Sequence, residues 1–226
     1  MLAKHQPLQL PLDLPVENNI GRDDLVVGNA NSVAIELIDQ WPNWQASVLI
    51  LAGPTGSGKS HLASIWAEKA HALIYPATDL ASADNKSDEA HNFVIEDISE
   101  ARIDETALFH LINSCREKGG YCLLTSSSWP QSWNISLPDL SSRLRAATLV
   151  ELREPDDLLL CQTLIKLFAD RQIHVERSVV DYLVLRMERS VKTARIIVEK
   201  LDQLALATGK PITRSMAAKI LELLEG

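Results

Sequence analysis

The chain has 226 residues, 46% of them apolar and 23% charged, with a net charge of −8; this excludes a largely disordered chain and argues against one living mainly on DNA phosphates. The length is about one and a half domains of roughly 150 residues, and no apolar run approaches the ~18 to 20 residues that a bilayer span needs. Met1-Leu2-Ala3-Lys4-His5-Gln6-Pro7 lacks an apolar signal core, and Cys115, Cys122 and Cys161 are an odd set without C-x-x-C spacing. No secretion signal, disulfide framework, zinc site or membrane association is therefore expected, and the reading is a cytoplasmic protein with buried thiols.

Residues 1–20 form a Pro- and Leu-rich arm that reads as extended, because Pro7, Pro11 and Pro15 remove donors and steer their predecessors away from the helical region. Val33, Ile35, Leu37, Ile38 and Trp41 then mark a short amphipathic helix stopped by Pro42. Ser47–Ala52 is a continuous apolar run, which suits a strand buried on both faces. A Gly-rich turn follows, then a helix over about 59–71. Further strands are expected at 72–75, 92–96, 121–125 and 147–150, with a polar connection over Ser82–His91 and a helix over 104–118 that stops at Gly119-Gly120. After Pro155 the strand signals vanish, and helical patterns run at about 155–170, 178–188, 190–208 and 213–224. The charge changes sign near the same place: residues 1–170 carry 12 basic and 23 acidic side chains, residues 171–226 carry 10 and 7. The fold class is α/β: a parallel five-stranded sheet with helices on both faces over 21–154, followed by a small helical domain over 155–226.

Gly53-Pro54-Thr55-Gly56-Ser57-Gly58-Lys59-Ser60 matches G-x-x-x-x-G-K-[ST], a phosphate-binding loop, in its required setting between a buried strand and a helix. Its glycines let backbone N–H groups converge on a phosphate, Lys59 reaches the outer phosphates, and the Ser60 hydroxyl joins a Mg²⁺ shell. The positive end of the helix dipole adds to this. The strand ending in Glu96-Asp97 places two carboxylates where a second Mg²⁺ partner and a water-orienting group belong. Glu96 reaches one methylene further than the usual Asp, and Asp97 falls one short; one of the pair could instead cap the next helix. The following strand ends Leu123-Leu124-Thr125-Ser126-Ser127-Ser128, and a polar side chain there could face a γ-phosphate or sit in an ordinary loop. Arg143, on a short helix beyond it, could reach a neighbouring subunit's nucleotide or lie solvated. Arg186, Arg189, Lys192 and Arg195, at three-residue spacing, read as one helical face, either a lid over nucleotide or a solvated surface.

The order of these features resembles the AAA+ ATPases. Within them, Val26-Val27-Gly28-Asn29-Ala30-Asn31 resembles the Val-Gly-x-x-Asn segment of the DnaA-related group, where adenine sits. Leu137-Pro138-Asp139-Leu140-Ser141-Ser142-Arg143-Leu144 and Leu201-Asp202-Gln203-Leu204 are similar to the short Hda branch of that group. The likeness spans residues 6–224. It implies ADP or ATP with Mg²⁺ as ligands, held by Val26, Val27, the loop from Gly53 to Ser60, His61 and Lys192, with Ser60 and Glu96 at the metal. It implies Arg143 as a finger acting in trans, with Glu96, Asp97 and Ser127 as the chain's own catalytic set. Lys192 stands where the group has Arg and Ser127 where it has Asp, and both departures, with Glu96, weaken that set.

Gln9-Leu10-Pro11-Leu12-Asp13-Leu14 resembles the branch's peptide for the DNA polymerase sliding clamp. In an extended segment Leu10, Leu12 and Leu14 project to one side and Gln9 offers an amide; without the resemblance, an arm packed on its own domain is an equal reading. The implied protein rides the clamp (its beta subunit) and stimulates hydrolysis of DnaA-bound ATP, a negative regulation of replication initiation. The chain is expected to end after the helical lid, without the helix-turn-helix unit that reads DnaA boxes and so without sequence-specific DNA binding. A homodimer or a head-to-tail array stays open. The competing reading is a self-contained ATPase acting as a helicase loader.

Overall fold

The computed structural model describes residues 21–22, 25–86, 90–98 and 103–225. Helices and strands alternate as α1 (Ser32–Gln40), β1 (Val48–Ala52), α2 (Lys59–Ala70), β2 (Leu73–Pro76), α3 (Leu80–Asn85), β3 (Phe93–Ile98), α4 (Glu105–Glu117), β4 (Cys122–Ser126), α5 (Pro138–Arg145) and β5 (Thr148–Glu151). Four helices follow: α6 (Asp157–Asp170), α7 (Arg177–Val184), α8 (Val191–Thr208) and α9 (Arg214–Glu225). The five strands pair in the order β2-β3-β4-β1-β5, every pairing parallel.

The apolar runs are continuous because each central strand serves two cores. Val48 and Ile50 of β1, Phe93 and Ile95 of β3, and Cys122 and Leu124 of β4 face α4 and α5. Leu49 and Leu51, Val94, and Leu123 face α1 and α2. Full burial of each such Val, Leu or Ile contributes roughly 1.5–3 kcal/mol, so a polar residue inside these strands needs a special partner. A third apolar cluster joins α6, α7, α8 and α9 through Leu160, Phe168, Leu183, Ile197 and Ile220. At the base of the sheet Trp66 of α2 is fully buried, stacked on Trp44 at 5.1 Å, and this aromatic packing anchors the helix that opens at Lys59. All three cysteines are buried and free, as expected. Among the described residues no helix is long and apolar enough to cross a membrane.

Three expectations change. Part of the polar connection over Ser82–His91 is helical: α3 runs through Asn85 and buries Leu80 and Ala83, a two-residue apolar anchor too short to show periodicity. β3 continues past Glu96 to Ile98, with a register slip between Ile95, opposite Leu124, and Ile98, opposite Ser126. This bulge returns Ile98 to the face used by Phe93 and Ile95 and sets Asp97 in the left-handed region at φ +57°. Nor do Arg186, Arg189, Lys192 and Arg195 share one helical face. α7 ends at Val184 and α8 begins at Val191, leaving Arg186 and Arg189 in the connection. Arg186 lies 4.2 Å from the centre of the Tyr182 ring. Arg189 donates to Pro155 O at 3.1 Å and to Asp157 Oδ1 at 2.5 Å, tying the connection to the start of α6.

Candidate functional site

The loop from Gly53 to Gly58 joins β1 to α2 across the C-terminal ends of the strands, the usual position for a ligand crevice in a parallel sheet. Gly53 N–H donates to Ser126 O at 3.1 Å, and a Cβ on Gly53 would stand 2.1 Å from Leu152 O. Only glycine permits that approach. Gly56 sits at φ +80°, where a Cβ would stand 2.2 Å from the Ser190 hydroxyl. The Val191 N–H donates to Gly56 O at 3.2 Å, so the start of α8 rests directly on the loop.

Lys59 is 6% exposed. Its Nζ donates to Gly53 O at 2.7 Å and to Pro54 O at 2.8 Å, carbonyls of the loop itself. Burial pushes its ammonium below the ordinary lysine value, and the negative charge of Asp97 opposes part of that shift. The N-cap of α2, Gly58, offers no side-chain acceptor, so the first amides of the helix are directed to the space above the loop. That space is a cleft of about 1030 Å³ lined by Thr55, Gly56, Gly58, Lys59, Ser60, His61, Asp97, Ser127 and Lys192. The Ser57 Oγ is buried with no hydrogen-bond partner among the described residues.

Asp97 reaches the cleft because of the bulge. Its N–H donates to Thr125 Oγ1 at 3.0 Å instead of to a strand carbonyl, and Ser126 Oγ holds the next turn by donating to Ile98 O at 2.7 Å. Glu96 is half-buried, does not line the cleft, and keeps a buried Oε1 with no donor among the described residues. A Mg²⁺ ion in the cleft would draw on Ser60 and Asp97, which line it, whereas Glu96, expected at the metal, stands outside the lining because the bulge turns Asp97 into the cleft in its place. Among the described residues no group of three or more His, Cys, Asp or Glu forms a metal cluster of its own.

A second, narrower slot of about 30 Å³ opens beside the loop between Val26, His61, Leu159 and Arg195. Asn31 shapes its wall: its side chain accepts from Gly28 N–H at 2.8 Å and donates to Val26 O at 2.9 Å. Gly28 lets α6 come close, since a Cβ there would stand 3.2 Å from Leu159 Cδ1. Arg195 lies 3.1 Å from His61 Nδ1 and borders both slot and cleft; next to a guanidinium, that nitrogen is the acceptor.

The structure thus assembles Val26, the loop residues, Lys59, Ser60, His61, Asp97, Ser127 and Lys192 around one site. Val27 is half-exposed and lines neither space. Arg143, on α5, also borders neither, and its side chain makes no hydrogen bond or ion pair among the described residues. Gln9, Leu10, Leu12 and Leu14 lie outside the described residues. Sequence reasoning misses Ser190 as a site residue and offers Thr125 and Arg195 only as members of a polar strand end and of a basic lid face; Arg195 does border the site. Ser190 has a readable signal, a serine ahead of an apolar helical run, and it caps α8 by accepting from Thr193 N–H at 3.2 Å. Thr125 shows only as a hydroxyl inside a strand whose side chains are all buried.

No family model matches the chain. An uncharacterised protein of Haemophilus influenzae is 25% identical over 186 residues, covering 76% of this chain and 80% of its own. Among solved structures, domain III of the Thermotoga maritima replication initiation protein DnaA superposes with a TM-score of 0.77 at 20% identity, covering 92% of this chain and 98% of that one. AMPPCP-bound DnaA from Aquifex aeolicus gives 0.69 at 20% identity, over 83% and 65% of the two chains. A Thermotoga maritima RuvB variant gives 0.67 at 15% identity, over 87% and 68%. The chain has the α/β fold of DnaA domain III.

Proposed function

We propose that this chain is an adenine-nucleotide-binding regulator of replication initiation that acts on DnaA while held on the DNA polymerase sliding clamp. The base would enter beside Val26 and His61, and the phosphates would lie over the loop, with Lys59 exchanging its two loop carbonyls for phosphate oxygens. Lys192 and Arg195 face them from α8. A bound Mg²⁺ would neutralise charge on the outer phosphates, with Ser60 and Asp97 as its partners. Supporting this reading are the AMPPCP named with the Aquifex aeolicus DnaA structure and the closeness of loop, Lys59 and Asp97.

The observation that carries the regulatory reading is Arg143: a half-buried arginine, without a side-chain partner among the described residues and away from the chain's own cleft. A guanidinium in that position suits phosphate charge on a neighbouring molecule, where a finger of this kind is worth roughly 10³ to 10⁵ in rate. Gln9, Leu10, Leu12 and Leu14 would hold the clamp and so keep the regulator where replication is under way. The place of Asp97 in the cleft beside Lys59 favours a second reading, a self-contained ATPase such as a helicase loader.

One assay separates the two: hydrolysis of DnaA-bound ATP in the presence of DNA-loaded clamp, with wild type, Arg143→Ala, or a Gln9→Ala/Leu12→Ala double variant added. The regulator reading expects wild type to accelerate turnover, with Arg143→Ala losing at least ~10³-fold of the stimulation and the arm variant losing its clamp dependence. If wild type leaves DnaA unchanged and hydrolyses ATP alone, the second reading replaces the first.

A further inference from the structure

We infer that Glu105 is a positioning residue for Arg143, an inference that rests on the reading of Arg143 as a group acting on a partner's nucleotide. Glu105 is the first residue of α4, yet its carboxylate serves a different helix. Oε1 accepts the Ser136 N–H at 3.0 Å and Oε2 accepts the Leu137 N–H at 2.6 Å, across 31 and 32 residues of chain. Leu137 is the N-cap of α5, has no side chain able to cap, and is followed by Pro138, which has no N–H. The carboxylate thus supplies, from outside, the acceptor that the start of α5 lacks.

The two oxygens engage consecutive amides, so they set orientation as well as distance. Glu105 has a firm base: Asp104 caps α4 by accepting the Ala107 N–H at 3.0 Å. The other contacts of α5 are of a different kind. Leu140 and Leu144 are buried in the apolar cluster with Leu108 and Leu111 of α4. Apolar contact is non-directional: it holds α5 against the sheet but resists sliding along or turning about its own axis less than a directed pair of hydrogen bonds does. Arg143 lies six positions after Leu137, about 9 Å of helix, so a tilt or slip at the N-terminus of α5 reaches the guanidinium almost undiminished. In a finger a misplacement of about 1 Å costs on the order of 10²-fold in rate.

The test is the same stimulated hydrolysis of DnaA-bound ATP, titrated with wild type, Glu105→Ala, Glu105→Gln and Arg143→Ala, beside the thermal midpoint and fluorescent ADP affinity of each variant. Expected is a maximal stimulated rate lowered roughly 10²-fold in Glu105→Ala, at an unchanged half-stimulating concentration and unchanged ADP affinity. Glu105→Gln, which keeps one carbonyl acceptor, recovers part of the rate. If Arg143→Ala is inactive but Glu105→Ala stimulates like wild type, the positioning role is wrong. It is equally wrong if both Glu105 variants shift the half-stimulating concentration or ADP affinity and spare the maximal rate, since that is a docking or folding defect. If Arg143→Ala stimulates fully, the reading of Arg143 itself fails and the role of Glu105 falls with it.

Discussion

Replacing Gly56 by alanine tests the contact between phosphate loop and α8 quantitatively. The new Cβ would stand 2.2 Å from Ser190 Oγ and 2.8 Å from Ser190 Cβ, on a residue at φ +80°. Holding an L-residue in the left-handed region costs about 1–2 kcal/mol. Ser190 must also turn away and release the Thr193 N–H, losing a cap worth about 1 kcal/mol. The remaining Cβ–Cβ overlap pushes α8 off the loop and breaks the Val191 N–H···O=C Gly56 bond, another ~1 kcal/mol. The total is about 3–4 kcal/mol, which for a chain of this size lowers the thermal midpoint by about 6–16 °C. Ser190→Gly alone removes both clashing atoms and costs only a few tenths of a kcal/mol, because glycine is a serviceable N-cap. The double variant should therefore retain only the backbone strain, about 1–2 kcal/mol, and the cycle should show about 2 kcal/mol of coupling. Thermal denaturation of the four proteins measures it. Additivity within about 0.5 kcal/mol would mean that loop and α8 do not touch as described, and the account of the site would have to be rebuilt.

Thr125→Val keeps shape but leaves the Asp97 N–H without the acceptor it has at 3.0 Å. It should lower stability by about 1–3 kcal/mol although it opens no cavity; equal midpoints for Val and Thr would remove the hydroxyl from the bulge. Lys59→Met should abolish nucleotide binding yet leave the thermal midpoint at neutral pH unchanged or higher, because burial of the ammonium opposes folding. The folded pKa lies below the unfolded value of 10.5. Between the two the unfolded chain holds the extra proton, so wild-type stability rises with pH. The wild-type deficit relative to Lys59→Met is complete below that window and narrows as pH approaches 10.5; a gap constant across it would show that the charge is not buried. Glu105 and Arg143 carry the two further expectations given above.

The strand–helix alternation, the position of the phosphate loop and the helical bundle after Pro155 are legible in the residues alone. These are local properties: an apolar run such as Val48–Ala52 already declares that both its faces are covered, and the loop's glycines and lysine are consecutive. Tertiary structure alone decided which groups the loop meets. The bulge that brings Asp97 to the cleft depends on Thr125, 28 residues on. Arg195 and His61 are 134 residues apart, and Glu105 meets two amides beyond β4. The apparent basic face from Arg186 to Arg195 dissolved because helix ends interrupt a periodicity that spacing alone suggests. Contacts of this kind join side chains to backbone amides and carbonyls, which every residue carries, so nothing in the residue types marks the partner until the chain has folded.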